Sequence, residues 1–272
     1  MVNHFEMGVW LLFLAYVTSF TGAAIGLACT LQSRNAVTTT VRMAWLVLAS
    51  LSIGGVGIWL MHFIALLGFG TPGSPIRYDV GRTLLSAVLS VAAVLGGLLV
   101  LGRRFVPWRL GVAGLVTGLA VILMHYTGMW AVSVKGTTSY DAGLVVLSVV
   151  VALLAATAAL WCAVAVDRLS MRLLAGAVLG IASTGMHYVG MAAVSVRLDP
   201  SAPDPEGVEV FSFLFPVFVL AAAALALPIV ALLTTSNDDE EDSPNVPRPG
   251  VALEQPDRRP GGLLRPGSTM RT

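Results

Sequence analysis

Three histidines of this 272-residue chain lie in short segments that repeat one another almost letter for letter. The segments read LMHYTGM from residue 123, GMHYVGM from residue 185 and LMHFIAL from residue 60. They carry His62, His125 and His187 at spacings of 63 and 62 residues. Imidazole nitrogen binds copper, zinc and iron, and the methionine thioether favours Cu(I). Three histidines with methionines beside them therefore predict a metal site, and the regular spacing indicates an internal repeat.

Helical geometry decides which side chains of the motif can act together. Each residue of an α-helix turns by about 100°, so Met129 lies only some 40° from His125, and Met191 has the same relation to His187. Side chains directly before and after each histidine project to either side, so ligands for one ion have to come from several helices. The candidates are the histidines and methionines of the three segments, with two tyrosines and the N-terminal histidine as additions: His62, His125, His187, Met61, Met124, Met186, Met129, Met191, Tyr126, Tyr188 and His4.

Other roles for these residues stay open. Copper is the favoured ion and haem iron held by two histidines is the alternative, whereas zinc is disfavoured because the segments contain no cysteine. A lone histidine in a helix bundle is commonly a hydrogen-bonded packing residue. Tyr126 and Tyr188 could be interfacial anchors, and His4 could be a solvated terminal histidine. The threefold repetition favours the ligand interpretation for the histidines.

The composition indicates a membrane protein. The chain is 56% hydrophobic and 11% charged, with a mean hydropathy of +0.84. A transmembrane helix needs about 20 mostly apolar residues, and helices are the common way to satisfy the backbone in lipid. The predicted fold is therefore all-α, a polytopic bundle of seven transmembrane helices in the lipid bilayer. The predicted spans are approximately 9–30, 43–66, 83–102, 110–134, 143–166, 173–196 and 210–233.

The spans group into three two-helix repeats and one further helix. The repeats cover about 9–66, 83–134 and 143–196, and the extra helix covers 210–233, so that residues 1–233 form one membrane domain. A glycine stands seven residues before each histidine, at Gly55, Gly118 and Gly180. Because small residues let helices approach closely in membranes, these glycines are predicted to turn the histidine faces toward other helices.

Charge predicts the orientation and the fate of the C-terminal residues. Basic residues concentrate in cytoplasmic loops, and an outside N-terminus puts seven arginines in the inner loops: Arg34, Arg42, Arg103, Arg104, Arg109, Arg168 and Arg172. Four basic residues then lie in the outer loops: Arg77, Arg82, Lys135 and Arg197. Residues 234–272 begin with an acidic run and continue rich in Pro, Gly and Arg, which predicts a disordered cytoplasmic tail. The net charge of +1 argues against a nucleic-acid partner.

The segments MHFIALLGF, MHYTGM and MHYVGM, set in repeated helix pairs, resemble the bacterial MHYT domain over residues 1 to about 233. The resemblance implies a multi-pass sensor of the bacterial inner membrane. In that family, Met, His and Tyr residues near the outer face are proposed to bind copper and through it to sense oxygen, carbon monoxide or nitric oxide. The resemblance implicates the matching residues of each segment: Met61, His62, Met124, His125, Tyr126, Met186, His187 and Tyr188.

Two departures from the family pattern bear on function. The first segment has Phe63 in place of tyrosine and Leu66 in place of the second methionine, which weakens its expected contribution to a metal site. Many family members also carry enzymes of cyclic di-GMP turnover or a histidine kinase after the membrane part, and the 272 residues contain no such domain. We therefore expect the output to pass to a cytoplasmic or membrane signalling partner.

Three classes of function compete. The leading interpretation is a metal-dependent membrane sensor that responds to a diatomic gas or to redox state. The alternative is a transporter or channel, for copper ions in particular, although the central portions of the spans contain no Asp, Glu, Lys or Arg. An enzyme is disfavoured, because no acid/base pair or nucleophile constellation stands out in the spans. We therefore predict no catalytic residues.

Overall fold

Seven helices dominate the structure. The computed structural model describes residues 8–71, 74–165 and 168–241. Within these ranges seven helices are long and apolar enough to cross a membrane, which confirms the predicted all-α polytopic bundle. They are α1 (Trp10–Asn35), α2 (Thr39–Leu66), α3 (Val80–Leu101), α4 (Pro107–Trp130), α5 (Ala142–Ala165), α6 (Leu169–Ala192) and α7 (Val210–Glu241).

Six of the helices form a closed ring. Each of α1 to α5 packs against the next helix along the chain, and α6 packs against α1, which closes the ring. The helix α7 packs on α2 and α1 from outside. The helices α2, α4 and α6 each carry one histidine, so they alternate around the ring with α1, α3 and α5.

Glycines set the spacing between the histidine helices and their neighbours. A Cβ at Gly118 would lie 2.9 Å from the Cα of Leu153 in α5, and a Cβ at Gly180 would lie 3.2 Å from the backbone nitrogen of Phe20 in α1. The prediction fails at Gly55, where a Cβ would meet only a methyl group of α3 at 3.7 Å. Its neighbour Gly54 makes the close approach instead, with a Cβ position 2.8 Å from the carbonyl oxygen of Ser90.

A π-helical segment explains this shift. In α2, residues Leu51–Leu60 form a π-helix between the α-helical stretches Thr39–Ser50 and Met61–Leu66. Its i→i+5 pattern puts more residues into each turn, so eight residues rather than seven separate the packing glycine from His62. The hydroxyl of Ser19 donates to the carbonyl of Gly57 at 2.7 Å, and that of Ser90 donates to the carbonyl of Gly54 at 2.7 Å. The flanking helices thus supply partners to this irregular backbone.

Short strands close the end of the bundle that carries the histidines. Strand β1 (Arg77–Tyr78) lies between β2 (Val132–Ser133) and β5 (Val208–Glu209), and β3 (Gly136–Tyr140) pairs with β4 (Val194–Leu198), all antiparallel. The helices predicted to reach residues 134 and 196 therefore end earlier, at Trp130 and Ala192. The difference arises because the repeated AVSV sequence after each helix pairs with neighbouring chain and satisfies its backbone there.

Equivalent hydrogen bonds close the second and the third repeat at this end. The backbone N–H of Asp79 donates to the carbonyl of Ala131, and that of Asp141 donates to the carbonyl of Ala193, both at 2.9 Å. Each aspartate also caps the helix that follows it, because its side chain accepts a hydrogen bond from the N–H three residues later. The start of each of these two helix pairs is thereby fixed to the end of the same pair.

The last helix is longer than predicted. It runs to Glu241, so residues 234–241, which were predicted to be disordered, are helical. Backbone hydrogen bonds inside a helix need no partner from the bilayer, and the glutamates at its end are good helix formers. Residues 242–272, the rest of the predicted tail, and His4 lie outside the described residues.

Candidate metal centre

The three histidines meet at one point inside the bundle. Their nearest potential ligand atoms all lie within 4.8 Å of one another, although the residues come from α2, α4 and α6. Each side chain is at most 1% exposed. His125 and His187 both lie five residues before the end of their helices, a rise of about 7.5 Å. The structure therefore brings the predicted histidines together at one depth near one end of the ring.

The Nδ1 atoms face the centre of the cluster. The Nδ1 of His62 lies 3.0 Å from the Nδ1 of His187 and 3.2 Å from the Nδ1 of His125. The rings stand nearly perpendicular to one another, with interplanar angles of 85° to 86° and centroids 4.8 to 5.3 Å apart. Each nitrogen contact needs one N–H donor and one bare nitrogen. At least one ring therefore presents an Nδ1 lone pair to the cluster.

The outer nitrogens of two rings rest on glycines of the next repeat. A Cβ at Gly128 would lie 2.7 Å from the Nε2 of His62. A Cβ at Gly190 would collide with the Nε2 of His125 in the same way. Among the described residues no hydrogen-bond partner reaches either Nε2 atom. Sequence reasoning missed these glycines, although the repeated HYxG spacing, which leaves Ala65 as the equivalent in the first segment, was a visible signal.

The predicted methionines are buried around the histidines. Met61, Met124 and Met186 are 1% to 2% exposed, and Met129 and Met191 are 4% and 2% exposed. All five belong to one buried cluster, which also contains Leu66. Three of them adjoin a histidine in the chain and two lie one helical turn beyond it. The methionines therefore give the histidine cluster a soft, apolar surrounding.

The aromatic residue after each histidine packs against the imidazole. Ring centroids lie 5.7 Å apart for His62 and Phe63, 4.9 Å for His125 and Tyr126, and 5.2 Å for His187 and Tyr188, each edge to face. The hydroxyl of Tyr126 lies 3.0 Å from the Oγ of Ser148 in α5. The ring contact accounts for the presence of a phenylalanine in one repeat, because packing against imidazole does not need the hydroxyl.

The strands explain why the cluster is buried although it lies near the helix ends. Tyr78 of β1 is 3% exposed, and its ring lies 6.3 Å from the ring of Phe63. Tyr140 of β3 lies 5.7 Å from Tyr126. Burial raises the pKa of the Tyr78 hydroxyl, so this group stays neutral. Aromatic side chains from the strand layer thus cover the residues that hold the imidazoles.

The arrangement suits a small ion with a preference for nitrogen. An ion about 2.0 Å from three nitrogens in one plane separates them by about 3.5 Å. The two Nδ1 contacts of His62 would have to lengthen by only about 0.3 to 0.5 Å. Three buried imidazoles with buried methionines beside them in the chain match the ligand preferences of Cu(I). Haem is a poorer fit because the rings contact one another and leave no room for a macrocycle between them.

A family model matches the chain three times. The MHYT model, described as "Bacterial signalling protein N terminal repeat", matches residues 55–114, 118–176 and 179–238. Each match starts inside a histidine helix and continues through the helix that follows. In space, however, α1 rather than α7 occupies the third position between histidine helices. The sequence repeat and the spatial repeat are therefore offset by one helix.

Several curated bacterial proteins are similar to this chain. They include the bifunctional diguanylate cyclase/cyclic di-GMP phosphodiesterase MucR of Pseudomonas aeruginosa, 40% identical over 57% of this chain and 23% of that protein. The cyclic di-GMP phosphodiesterase NbdA of the same species is 36% identical over 55% of this chain and 20% of its own length. The signaling protein YkoW of Bacillus subtilis is 31% identical over 64% of this chain and 22% of its own.

The similarity covers about a fifth of the length of these relatives. No solved structure matches the chain.

Proposed function

We propose that this chain, which belongs to the MHYT family of bacterial signalling proteins, is a membrane sensor with a copper ion held by His62, His125 and His187. The ion responds to a diatomic gas or to redox state, and the response passes to a partner protein. The observation that carries the proposal is the meeting of three buried imidazoles from three different helices within 4.8 Å.

The buried nitrogens argue against a role in packing alone. A buried polar atom without a partner costs about 1–3 kcal/mol. His62 and His125 each keep such an atom at Nε2 among the described residues. Phenylalanine or leucine would fill the same space without this cost. Polar groups retained inside a membrane at a cost are typical of functional sites.

The packing of the rings supplies a route for the signal. His62 belongs to α2 and contacts α4 at Gly128, while His125 belongs to α4 and contacts α6 at Gly190. A change in the size or coordination of the central ion moves the rings, and each ring pushes directly on the backbone of the next helix. A ligand that binds one of two ring arrangements more tightly thereby favours one packing of the helices.

The loop charges support one orientation of the sensor in the membrane. We infer that the chain lies in the bacterial inner membrane with its N-terminus outside and its C-terminus in the cytoplasm. The histidine end, closed by the strands, then faces the periplasm or the cell exterior. Relatives named for cyclic di-GMP turnover suggest a cytoplasmic recipient of that class.

Copper transport is less well supported by the surroundings of the cluster. An ion that crosses the bundle needs a succession of polar groups or ligands. In the described part of the chain, the space inside the ring below the histidines is lined mainly by alanines, leucines, isoleucines and valines, with three hydroxyls, Gly57 and a single thioether, that of Met186 beside His187. Such a lining favours a site that holds its ion.

Metal analysis of the purified full chain tests the proposal. After loading with Cu(I) and removal of excess, we expect one copper ion per chain. His125→Ala should lose the ion, whereas Leu123→Ala should keep it, because Leu123 is on the same helix and is 54% exposed. Infrared spectra under carbon monoxide should then show a C–O stretching band in the copper-loaded protein. Equal copper content in all three proteins, or none in any, would refute the site.

A further inference from the structure

An elongated internal cavity lies directly below the histidine cluster. Three of its lining residues, Ile58, Val121 and Ser183, each precede a histidine by four residues, one helical turn. They are spaced by 63 and 62 residues, as the histidines are. The cavity therefore lies on the axis of the ring with the imidazoles next to its upper end.

All six ring helices contribute to the wall of this cavity. The face of α5 is the most open, because it presents Ala152, Ala156, Ala159 and Ala163 in succession. These alanines span eleven residues, a rise of roughly 16 Å. Small side chains on one face of α5 leave a column of space where larger ones would fill it, with a volume of about 70 Å³.

The lining makes the cavity a poor place for water. A buried water needs two to four polar partners. The hydroxyl of Ser19 is committed to the carbonyl of Gly57, and that of Thr117 to the carbonyl of Ala93. Only the hydroxyl of Ser183 lacks a hydrogen-bond partner among the described lining residues. Apolar cavities of about 150 Å³ stay dry and take up benzene or xenon.

We propose that this cavity is a binding site for one small, uncharged, apolar molecule of the size of a diatomic gas. The volume of about 70 Å³ is about half that of the apolar cavities that take up benzene, and it suits a molecule of two or three heavy atoms. Apolar molecules also concentrate in the bilayer relative to water, and the cavity lies within the membrane-spanning part of the helices. Occupancy of the cavity does not depend on a metal at the histidines.

A second step of the proposal rests on the proposed copper centre. A gas molecule held between Ile58, Val121 and Ser183 lies one helical turn from the imidazoles. The cavity then acts as a reservoir from which gas reaches the ion without crossing the strand layer. Filling the cavity should slow gas binding to copper while the amount of copper bound stays the same.

Xenon tests the first step directly. Crystals of the full chain under xenon pressure should show an anomalous peak inside the ring below the histidines. Ala156→Leu and Ala152→Leu each place a larger side chain into the cavity and should remove the peak. Ala165→Leu, on the same helix at an exposed position, should keep it. The metal-deficient variant His125→Ala should also keep the peak.

The outcomes separate the two proposals. A peak that survives both filling substitutions, an ordered water or detergent chain in that place, or no peak in the unaltered chain would overturn the cavity site. If the xenon peak is present and copper is absent, only the metal centre fails. With both present, Ala156→Leu should slow the rate of carbon monoxide binding by tenfold or more relative to Ala165→Leu, and equal rates would overturn the reservoir.

Discussion

The Nε2 atom of His62 rests on the Cα of Gly128, so closely that a Cβ there would lie 2.7 Å away. The contact joins α2 to α4 and fixes the imidazole with Nδ1 turned to the centre of the cluster. Gly190 holds the ring of His125 on α6 in the same manner. The glycine of the MHYxG sequence is therefore part of the histidine site of the preceding repeat, and its role is to leave room for a ring.

Gly128→Ala should weaken metal binding while the bundle stays folded. The added methyl group displaces the ring of His62 from the orientation in which its Nδ1 faces the cluster, so we expect at least a tenfold lower copper affinity. Gly111→Ala is the matched control on the same helix, because a Cβ there meets nothing within 4 Å. That control should stabilise the protein slightly, by about 0.5–1 kcal/mol. Competition with a copper chelator measures both affinities, and equal affinities would contradict the positioning role of Gly128.

Tyr126→Phe should lower stability and leave copper binding intact. The substitution removes the hydrogen bond to Ser148 but keeps the ring that packs on His125. The expected loss is about 0.5–1.5 kcal/mol, seen as a lower melting temperature in detergent. Copper stoichiometry should match that of the unaltered chain, since Phe63 already serves in the first repeat. A loss of copper in Tyr126→Phe would mean that the hydroxyl is a ligand after all.

Gly22→Ala should strongly destabilise the ring. A Cβ at this position would lie 2.7 Å from the Cα of Gly57 in the π-helical segment of α2. Because backbone cannot yield as a side chain does, we expect a loss of about 2–3 kcal/mol in the free energy of unfolding. Gly96→Ala in α3, where a Cβ meets nothing within 4 Å, should be neutral or stabilising. Unfolding by denaturing detergent compares the two, and similar stabilities would argue against the tight contact.

Removal of the metal should lower the melting temperature of the unaltered chain but not that of the His187→Ala variant. A ligand that binds only the folded state at 100 times its dissociation constant adds about 2.7 kcal/mol of stability. The copper-loaded protein should therefore melt at a higher temperature than the chelator-treated protein. In His187→Ala the two samples should melt together. A chelator effect of the same size in that variant would show that copper binds elsewhere.

Much of this architecture could be predicted from residue patterns. Apolar length alone identified seven spans, and the spacing of His62, His125 and His187 indicated that three helices bring equivalent residues to one depth. The packing role of Gly118 and Gly180 could be inferred because a seven-residue spacing is nearly two turns of an α-helix. Periodicity of this kind is strong in membrane helices, since lipid leaves the backbone few alternatives.

The unpredicted features depend on contacts between distant parts of the chain. The π-helix in α2 moves the packing contact from Gly55 to Gly54. The carbonyls of Gly57 and Gly54 accept hydrogen bonds from serines of α1 and α3. The residues after Trp130 form a strand because β1 lies beside them, and its Tyr78, which pairs with Val132, is 54 residues earlier in the chain. Neither partner can be recognised from the local sequence, so hydrophobicity extended the helices too far.

The position of α1 sets a requirement on any smaller version of this protein. Its residues Ala24 and Phe20 pack against Gly176 and Gly180 of α6. The helices α3 and α5 pack in the same way against glycines of the other two histidine helices. A fragment cut to the three matched units would retain His62, His125 and His187 but would expose the backbone of α6 at Gly176 and Gly180 to lipid acyl chains. Lipid would then pack against α6 in place of α1, and the position of His187 relative to His62 and His125 would be the first to change.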